Sequence, residues 1–270
     1  MSFARSIEQT DPPRPPRETL PTMYDLPSED PEEPGLPDEF HDFQPELLRI
    51  TFQPPSHQPE QVFSASDMNL YYDVRYPNWY KRPDWFGVVG VPRLYEGRDL
   101  RRSYVIWQEG ISPVVVVELL SPGTEDEDLG RVERENDQPP TKWQVYEKIL
   151  RIPYYIVFSR YTECLQVFTL QAGQYQELDL REPKIWMPDI GLGLGLWQGE
   201  YAGIHRLWLR WYDAKGHWIS TEAEQERQRA EQERQRAEQE RQRAEQERQR
   251  AERLAERLRF LGVDPDEDTP

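Results

Sequence analysis

The run PVVVVELL (113–120), a helix signal after it, and the run YYIVFS (154–159) constrain the fold of this chain more than any other feature. Four consecutive valines suit a strand buried on both faces. The helix signal is Thr141, preceded by two prolines and followed three residues later by Gln144, which matches a capping box. Trp143, Tyr146, Ile149 and Leu150 then follow at helical spacing, and Pro153 ends the segment. Strand, helix and strand in this order predict a β-α-β unit inside a mixed sheet. Glu118 interrupts the first strand. An ionised carboxylate left unpaired among valines costs several kcal/mol, so it must emerge at a strand end, shift its pKa, pair with a cation or bind a metal. SPGT follows directly, which places Glu118 near the C-terminal end of its strand, the edge where sites on α/β sheets are found.

Three compositional zones surround this unit. Residues 1–60 hold 13 of the 25 prolines, and the stretch 11–46 carries 11 acids against two arginines. Proline fixes φ and removes a donor, so 1–37 is predicted to be an irregular acidic arm, with a short helix at PDEFHDFQPELLRI. Residues 38–220 carry all nine tryptophans and the strand-like runs WFGVVGV (85–91), SYVIW (103–107), CLQVFTL (164–170) and RLWLRWY (206–212), enough for one compact domain. GRDLRR (97–102) reads as a hairpin turn between the first two of these. Residues 221–262 form a helix built on AEQERQR repeated four times, and 263–270 is an acidic tail. Each repeat is neutral, with Glu and Arg spaced to support a helix by about 0.2–0.5 kcal/mol per pair. With Ala223 at heptad position a, every d position in the repeats is Glu, which cannot form an apolar seam. Only Ala251, Leu254, Leu258 and Leu261 restore an a-d pattern, so self-association through this helix is expected to be weak.

Two further residues converge with Glu118. Asp84 opens the strand RPDWFGVV, and an Asp at the start of one strand can meet a Glu at the end of another on one sheet edge. Two such carboxylates can hold a hard divalent cation such as magnesium, which could activate water and stabilise a phosphoryl transition state. Lys142 lies between Tyr146 and Ile149 on the helical wheel, within the apolar face, an unusual place for an ammonium. Pointed at the carboxylate edge, it could stabilise developing phosphate charge.

In order, Pro83, Asp84, Glu118, Ser121, Pro122, Lys142, Tyr146, Pro153 and Tyr154 resemble the PD-(D/E)XK nuclease superfamily. More closely, they resemble its restriction-endonuclease-like branch that is abundant in cyanobacteria. The resemblance covers roughly 38–215 and is most specific over 113–159. It implies an α+β fold with a restriction-endonuclease-like mixed sheet and flanking helices, to which this chain adds the acidic arm and the charged helix. It implies a metal-dependent endonuclease acting on DNA, with Asp84 and Glu118 as ligands of Mg2+ (or Mn2+) and Asp84, Glu118 and Lys142 as the catalytic set. The chain departs from the superfamily pattern at Leu120, where a lysine is usual. On this resemblance that lysine's role would have to pass to Lys142. An upstream helical Glu has only Glu39 and Glu46 as candidates.

The net charge of -17 excludes a generic electrostatic binder of nucleic acid. The acids, however, concentrate in the arm, in the insertion 125–137 (seven acids, two arginines) and in the tail, so the domain that would meet a phosphate backbone is close to neutral. Lys81, Arg82, Arg101 and Arg102 are candidates for a local basic patch. The single cysteine, Cys164, forms no intramolecular disulfide and is expected buried or half-buried in its strand. The four histidines lack metal-ligand spacing. No secretory or membrane-spanning segment is evident, so a cytoplasmic location is expected. GLGLGLW (191–197) lacks the context of a dinucleotide loop and reads as a bulged strand or turn. The alternative function is a nuclease fold that has lost catalysis and serves as a protein-interaction module through its arm and C-terminal helix.

Overall fold

The computed structural model describes residues 38–261 apart from 122, 124 and 133–137. The acidic arm 1–37, Pro122, the residues 133–137 of the insertion, Gly262 and the tail 263–270 lie outside the described residues. The chain divides after Ile219 into two units.

The first unit opens with helix α1 (Glu39–Thr51), capped by the side chain of Asp38, with Phe40, Leu47 and Leu48 buried on its inner face. Strands β1 (Val62–Ala65), β2 (Leu70–Tyr71), β3 (Tyr80–Lys81), β4 (Trp85–Val89) and β5 (Tyr104–Val105) follow, and then the short helix α2 (Ile106–Glu109). After β6 (Val115–Leu119) come the short helices α3 (Glu125–Asp128) and α4 (Lys142–Gln144). The remaining strands are β7 (Tyr154–Ser159), β8 (Cys164–Gln171), β9 (Gln174–Glu177), β10 (Lys184–Met187), β11 (Leu192–Tyr201) and β12 (Ile204–Tyr212).

The central sheet has the order β1-β4-β6-β7-β8-β9. Only β6 and β7 run parallel, from Val115 opposite Tyr154 to Leu119 opposite Phe158. This is the β-α-β unit expected from the sequence, and the fold is the expected α+β fold with a mixed sheet. Residues alternate between faces along each strand, and both faces of this sheet are covered. Val115, Val117 and Leu119 pack with α1 and with Trp208 and Trp211 of β12. Val116 and Leu120 pack with Tyr146 and Tyr155 on the opposite side. Glu118 shares that second face, in an entirely buried strand.

Several local expectations are corrected. GRDLRR does not join β4 to β5 as a hairpin: its start forms a tight turn closed by the Tyr95–Asp99 bridge, and β5 pairs with β2 in a separate three-stranded sheet. SYVIW keeps only two strand residues; Ile106–Glu109 turns helical and stops at Gly110, whose φ of 74° is left-handed. GLGLGLW opens on a turn residue, Gly191 with a φ of 65°, and the rest lies in β11 without a bulge, paired with β12 from Gly193↔Tyr212 to Tyr201↔Ile204. Its glycines make room for neighbouring side chains, since a Cβ on Gly193 would sit 1.9 Å from the Tyr212 ring. Cys164 is exposed at the start of β8.

The helix after β6 also differs. The capping box at Thr141 and Gln144 is present, but after Gln144 the backbone widens into a π turn over Val145–Ile149. The wider turn breaks the 3.6-residue period, so Ile149, expected inside, is 42% exposed, while Tyr146 and Leu150 are buried.

The second unit contains helix α5 (Glu222–Phe260), opened by a capping box of Thr221 and Glu224. None of its residues is buried, and Leu254, Leu258 and Leu261 are exposed. No helix among the described residues is long and apolar enough to cross a membrane.

Candidate active site

Strand register brings the two expected carboxylates together. β4 runs antiparallel to β6 with Trp85 opposite Val117, so Asp84, one residue before β4, stands opposite Glu118. The Asp84 backbone N–H donates to Glu118 Oε2 at 3.3 Å, and the Leu119 N–H donates to Asp84 Oδ2 at 2.6 Å. Each carboxylate is thus oriented by the backbone of the other's strand.

Lys142 and Tyr146 approach from the helical segment that covers this face. Lys142 Nζ donates to Glu118 Oε2 at 3.0 Å, and the Tyr146 hydroxyl donates to Glu118 Oε1 at 2.9 Å. The capping box fixes the start of the helix, and so aims Lys142 inward from its first turn. The structure therefore brings Asp84, Glu118 and Lys142 into one cluster. Glu118 is fully buried, whereas the Lys142 side chain is 20% exposed and Asp84 is half-buried, so the cluster opens toward solvent on the Asp84–Lys142 side.

The sequence reading missed a third carboxylate, Asp128, at 3.1 Å from Lys142 Nζ and itself buried. It belongs to the acidic insertion, which is therefore partly a wall of the site. The Tyr155 hydroxyl donates to the Asp128 carbonyl at 2.8 Å, and Lys81 pairs with neighbouring Glu127 at 3.2 Å. Gly130 has a φ of 69°, and a Cβ there would lie 2.6 Å from the Trp143 ring. This close approach seats the segment against the helix that carries Lys142.

Electrostatics follow from three carboxylates around one ammonium. Burial pushes the Glu118 carboxyl well above the usual range against the pull of Lys142, and Asp84 and Asp128 push it further. Burial likewise raises Asp84, more than Lys142 and the Leu119 N–H lower it. For Lys142, burial acts downward but is outweighed by Glu118, Asp128 and Asp84, which hold it protonated. Such strongly perturbed groups gathered in one cluster are characteristic of functional sites.

α1 supplies a histidine instead of the glutamate looked for there. Glu39 is exposed, and Glu46 accepts from the Tyr201 hydroxyl at 3.0 Å on the protein surface. His41 Nε2 instead lies 3.3 Å from the Leu119 carbonyl oxygen and 3.3 Å from Ser121 Oγ, with Nδ1 2.8 Å from Asp38. Burial lowers the His41 pKa, but the Asp38 hydrogen bond and the charge of Asp84 more than compensate, and the net shift is upward. The expected basic patch does not form as a unit. Arg101 is buried against Glu109 at 2.7 Å, Lys81 is engaged by Glu127, and Arg82 and Arg102 are exposed.

A divalent cation fits this donor set in chemistry. Buried carboxylate oxygens are hard ligands, and three carboxylates facing one lysine lack the positive charge that such an ion brings. Among the described residues no group of three or more His, Cys, Asp or Glu side chains is arranged to hold a metal ion. Asp84 and Glu118 are the two carboxylates that would hold such an ion, and Lys142 donates to Glu118 Oε2.

A crystal structure described as a "putative nuclease belonging to DUF820 from Anabaena variabilis ATCC 29413" is similar, with a TM-score of 0.41 and 11% identity over 58% of this chain and 76% of that chain. No curated protein matches the sequence. The profile of the Uma2 family, described as "Putative restriction endonuclease", matches residues 18–207, more than half of the chain and inclusive of Asp84, Glu118, Asp128 and Lys142. The chain belongs to the Uma2 family, as the order of its site residues had suggested.

Proposed function

We propose that this protein is a metal-dependent endonuclease that hydrolyses phosphodiester bonds in DNA. The observation that carries this reading is the convergence of Asp84, Glu118 and Asp128 on the Lys142 ammonium at one sheet edge, with Lys142 Nζ 3.0 Å from Glu118 and 3.1 Å from Asp128. Family membership supports nuclease chemistry. Asp84 and Glu118 would hold magnesium or manganese, and the bound ion would supply water activation and charge stabilisation at the phosphoryl group.

The chain's own residues do the rest. Lys142 presents a fixed positive charge where charge develops on the phosphate, and its Nζ can donate a hydrogen bond that orients the attacking water. Tyr146 and the Asp84 N–H keep the Glu118 carboxylate from rotating. The Leu119 N–H does the same for Asp84. Leu120, in place of the usual lysine, does not remove the cation from the site, because Lys142 brings one to Glu118 from the adjoining helix. This favours an active centre over a lapsed one. Exposed Leu254, Leu258 and Leu261 support weak self-association through α5.

The test is incubation of supercoiled plasmid and of single-stranded RNA with the full chain in magnesium or manganese. Nicked or linear plasmid, absent when EDTA is added, is the expected result. RNA cleavage without plasmid cleavage would move the substrate to RNA, and no cleavage of either would remove the reading.

A further inference from the structure

A pair of arginines continues the edge on which the carboxylates lie. β6 and β7 end side by side, with Leu119 opposite Phe158, and Arg160 follows two residues after Phe158. From the Leu119 carbonyl oxygen the chain of contacts passes to His41 at 3.3 Å and then to Asp38 at 2.8 Å. Asp38 in turn forms an ion pair with Arg160. Arg160 and Arg206 share one aromatic ring: their guanidinium carbons lie 5.6 Å and 4.3 Å from the centroid of Phe40. Arg206 comes from β12, opposite Gly199, and also lies 5.4 Å from the Trp208 ring.

Two guanidiniums on one ring are a poor structural choice in a chain with 50 acids and 33 bases. Arg160 has Asp38 as its counter-charge. Among the described residues Arg206 has no ion-pair partner, and its Nε is buried without an acceptor. A buried donor without a partner is costly, and a residue kept at that cost invites a ligand that supplies the acceptor. The charge state agrees: burial and then the nearby Arg160 lower the Arg206 pKa, more than Asp38 and Glu163 raise it. Asp38 is already paired with Arg160, so the two guanidiniums outnumber the carboxylate paired with them.

We propose that Arg206, with Arg160 beside it, binds a backbone phosphate of the nucleic-acid substrate next to the one cleaved at the carboxylate centre. A phosphate offers paired oxygens to the planar fork of arginine, and aromatic rings beneath the forks hold them in place. The inference rests on the nuclease reading and adds to it where the strand lies: over α1 and the end of β7, on the His41 side of Glu118.

The experiment is fluorescence anisotropy with a labelled DNA duplex and a labelled RNA, using the full chain in EDTA across a salt series, for wild type, Arg206→Met and Arg206→Lys. Methionine keeps an unbranched apolar stem over Phe40 and removes the charge together with its N–H donors. The expected result is about tenfold weaker binding in Arg206→Met, with the slope of log affinity against log salt reduced by about one phosphate contact, and a near-wild-type slope in Arg206→Lys. A partly unfolded variant lowers the amplitude but leaves the slope, so the slope decides. Wild-type binding with an unchanged slope in Arg206→Met overturns the phosphate subsite and leaves the nuclease reading standing. Binding of neither nucleic acid by wild type overturns both.

Discussion

Lys142 Nζ sits 3.0 Å from Glu118 Oε2, joining a helix start to the end of a buried strand. Glu118 is fully buried and Lys142 largely so. Breaking a buried pair by removing one partner leaves an uncompensated charge, typically at a cost of about 3–5 kcal/mol. Lys142→Met is therefore expected to lower stability by about that amount at neutral pH, measured by urea unfolding. Replacing both residues, as Lys142→Met with Glu118→Leu, is expected to recover only part of the loss, because buried Asp128 also loses its partner. A single variant as stable as wild type would mean that the pair contributes nothing to holding the helix on the sheet.

Tyr146 acts on the site through Glu118. Its hydroxyl donates to Oε1 at 2.9 Å, and residues that orient a ligand typically change metal affinity about 10–100-fold when removed. Tyr146→Phe is expected to weaken manganese binding by about tenfold in calorimetric titration without DNA, while the fold persists. Equal affinity in the two proteins would show that Glu118 needs no such support.

The Asp38–His41 pair gives a pH dependence. His41 is raised above its ordinary 6.5 and Asp38 lies below its ordinary 3.8. The stability contributed by His41 is full below pH 6.5 and is lost as pH rises through its higher folded value. The contribution of Asp38 is present above 3.8 and is lost as pH falls through its lower folded value. The pair thus stabilises most between these limits. In NMR the His41 ring is expected to titrate above 6.5, and Asp38→Asn is expected to move its midpoint down. An unmoved midpoint would assign the shift to Asp84 instead.

β11 depends on its glycines. A methyl on Gly193 would meet the Tyr212 ring at 1.9 Å, and overpacking of this kind costs about 1–3 kcal/mol. Gly193→Ala is expected to be destabilised to that extent in thermal or urea unfolding. Gly193→Ala combined with Tyr212→Ala is expected to recover part of it. A neutral Gly193→Ala would show that the ring moves aside freely.

The parts of the site that were legible in the sequence are those fixed by short-range pattern. The valine run and its glutamate gave β6, the capping box gave the aim of Lys142, and Asp84 before an apolar run gave a strand start. Asp128 was hidden because one acid in an acidic run looks like its neighbours. What distinguishes it is the packing of Gly130 on Trp143. His41 was hidden because its partners, Leu119 and Ser121, are 78 and 80 residues away in sequence. Ile149 was misplaced because a π turn is not announced by residue type, and GLGLGLW because small residues in a strand reveal themselves only when the neighbouring side chain is known. The hairpin at GRDLRR failed for a related reason: strand order within a sheet is a long-range property.

The account stands most directly on the role of the two carboxylates. Asp84→Asn and Glu118→Gln keep size and hydrogen-bonding shape and remove charge, so cleavage of plasmid by these variants in magnesium is the deciding measurement. The expected result is folded protein whose cleavage rate falls at least about 100-fold in each variant, the scale typical of removing a group that stabilises the transition state. Cleavage at the wild-type rate by both folded variants would contradict the account.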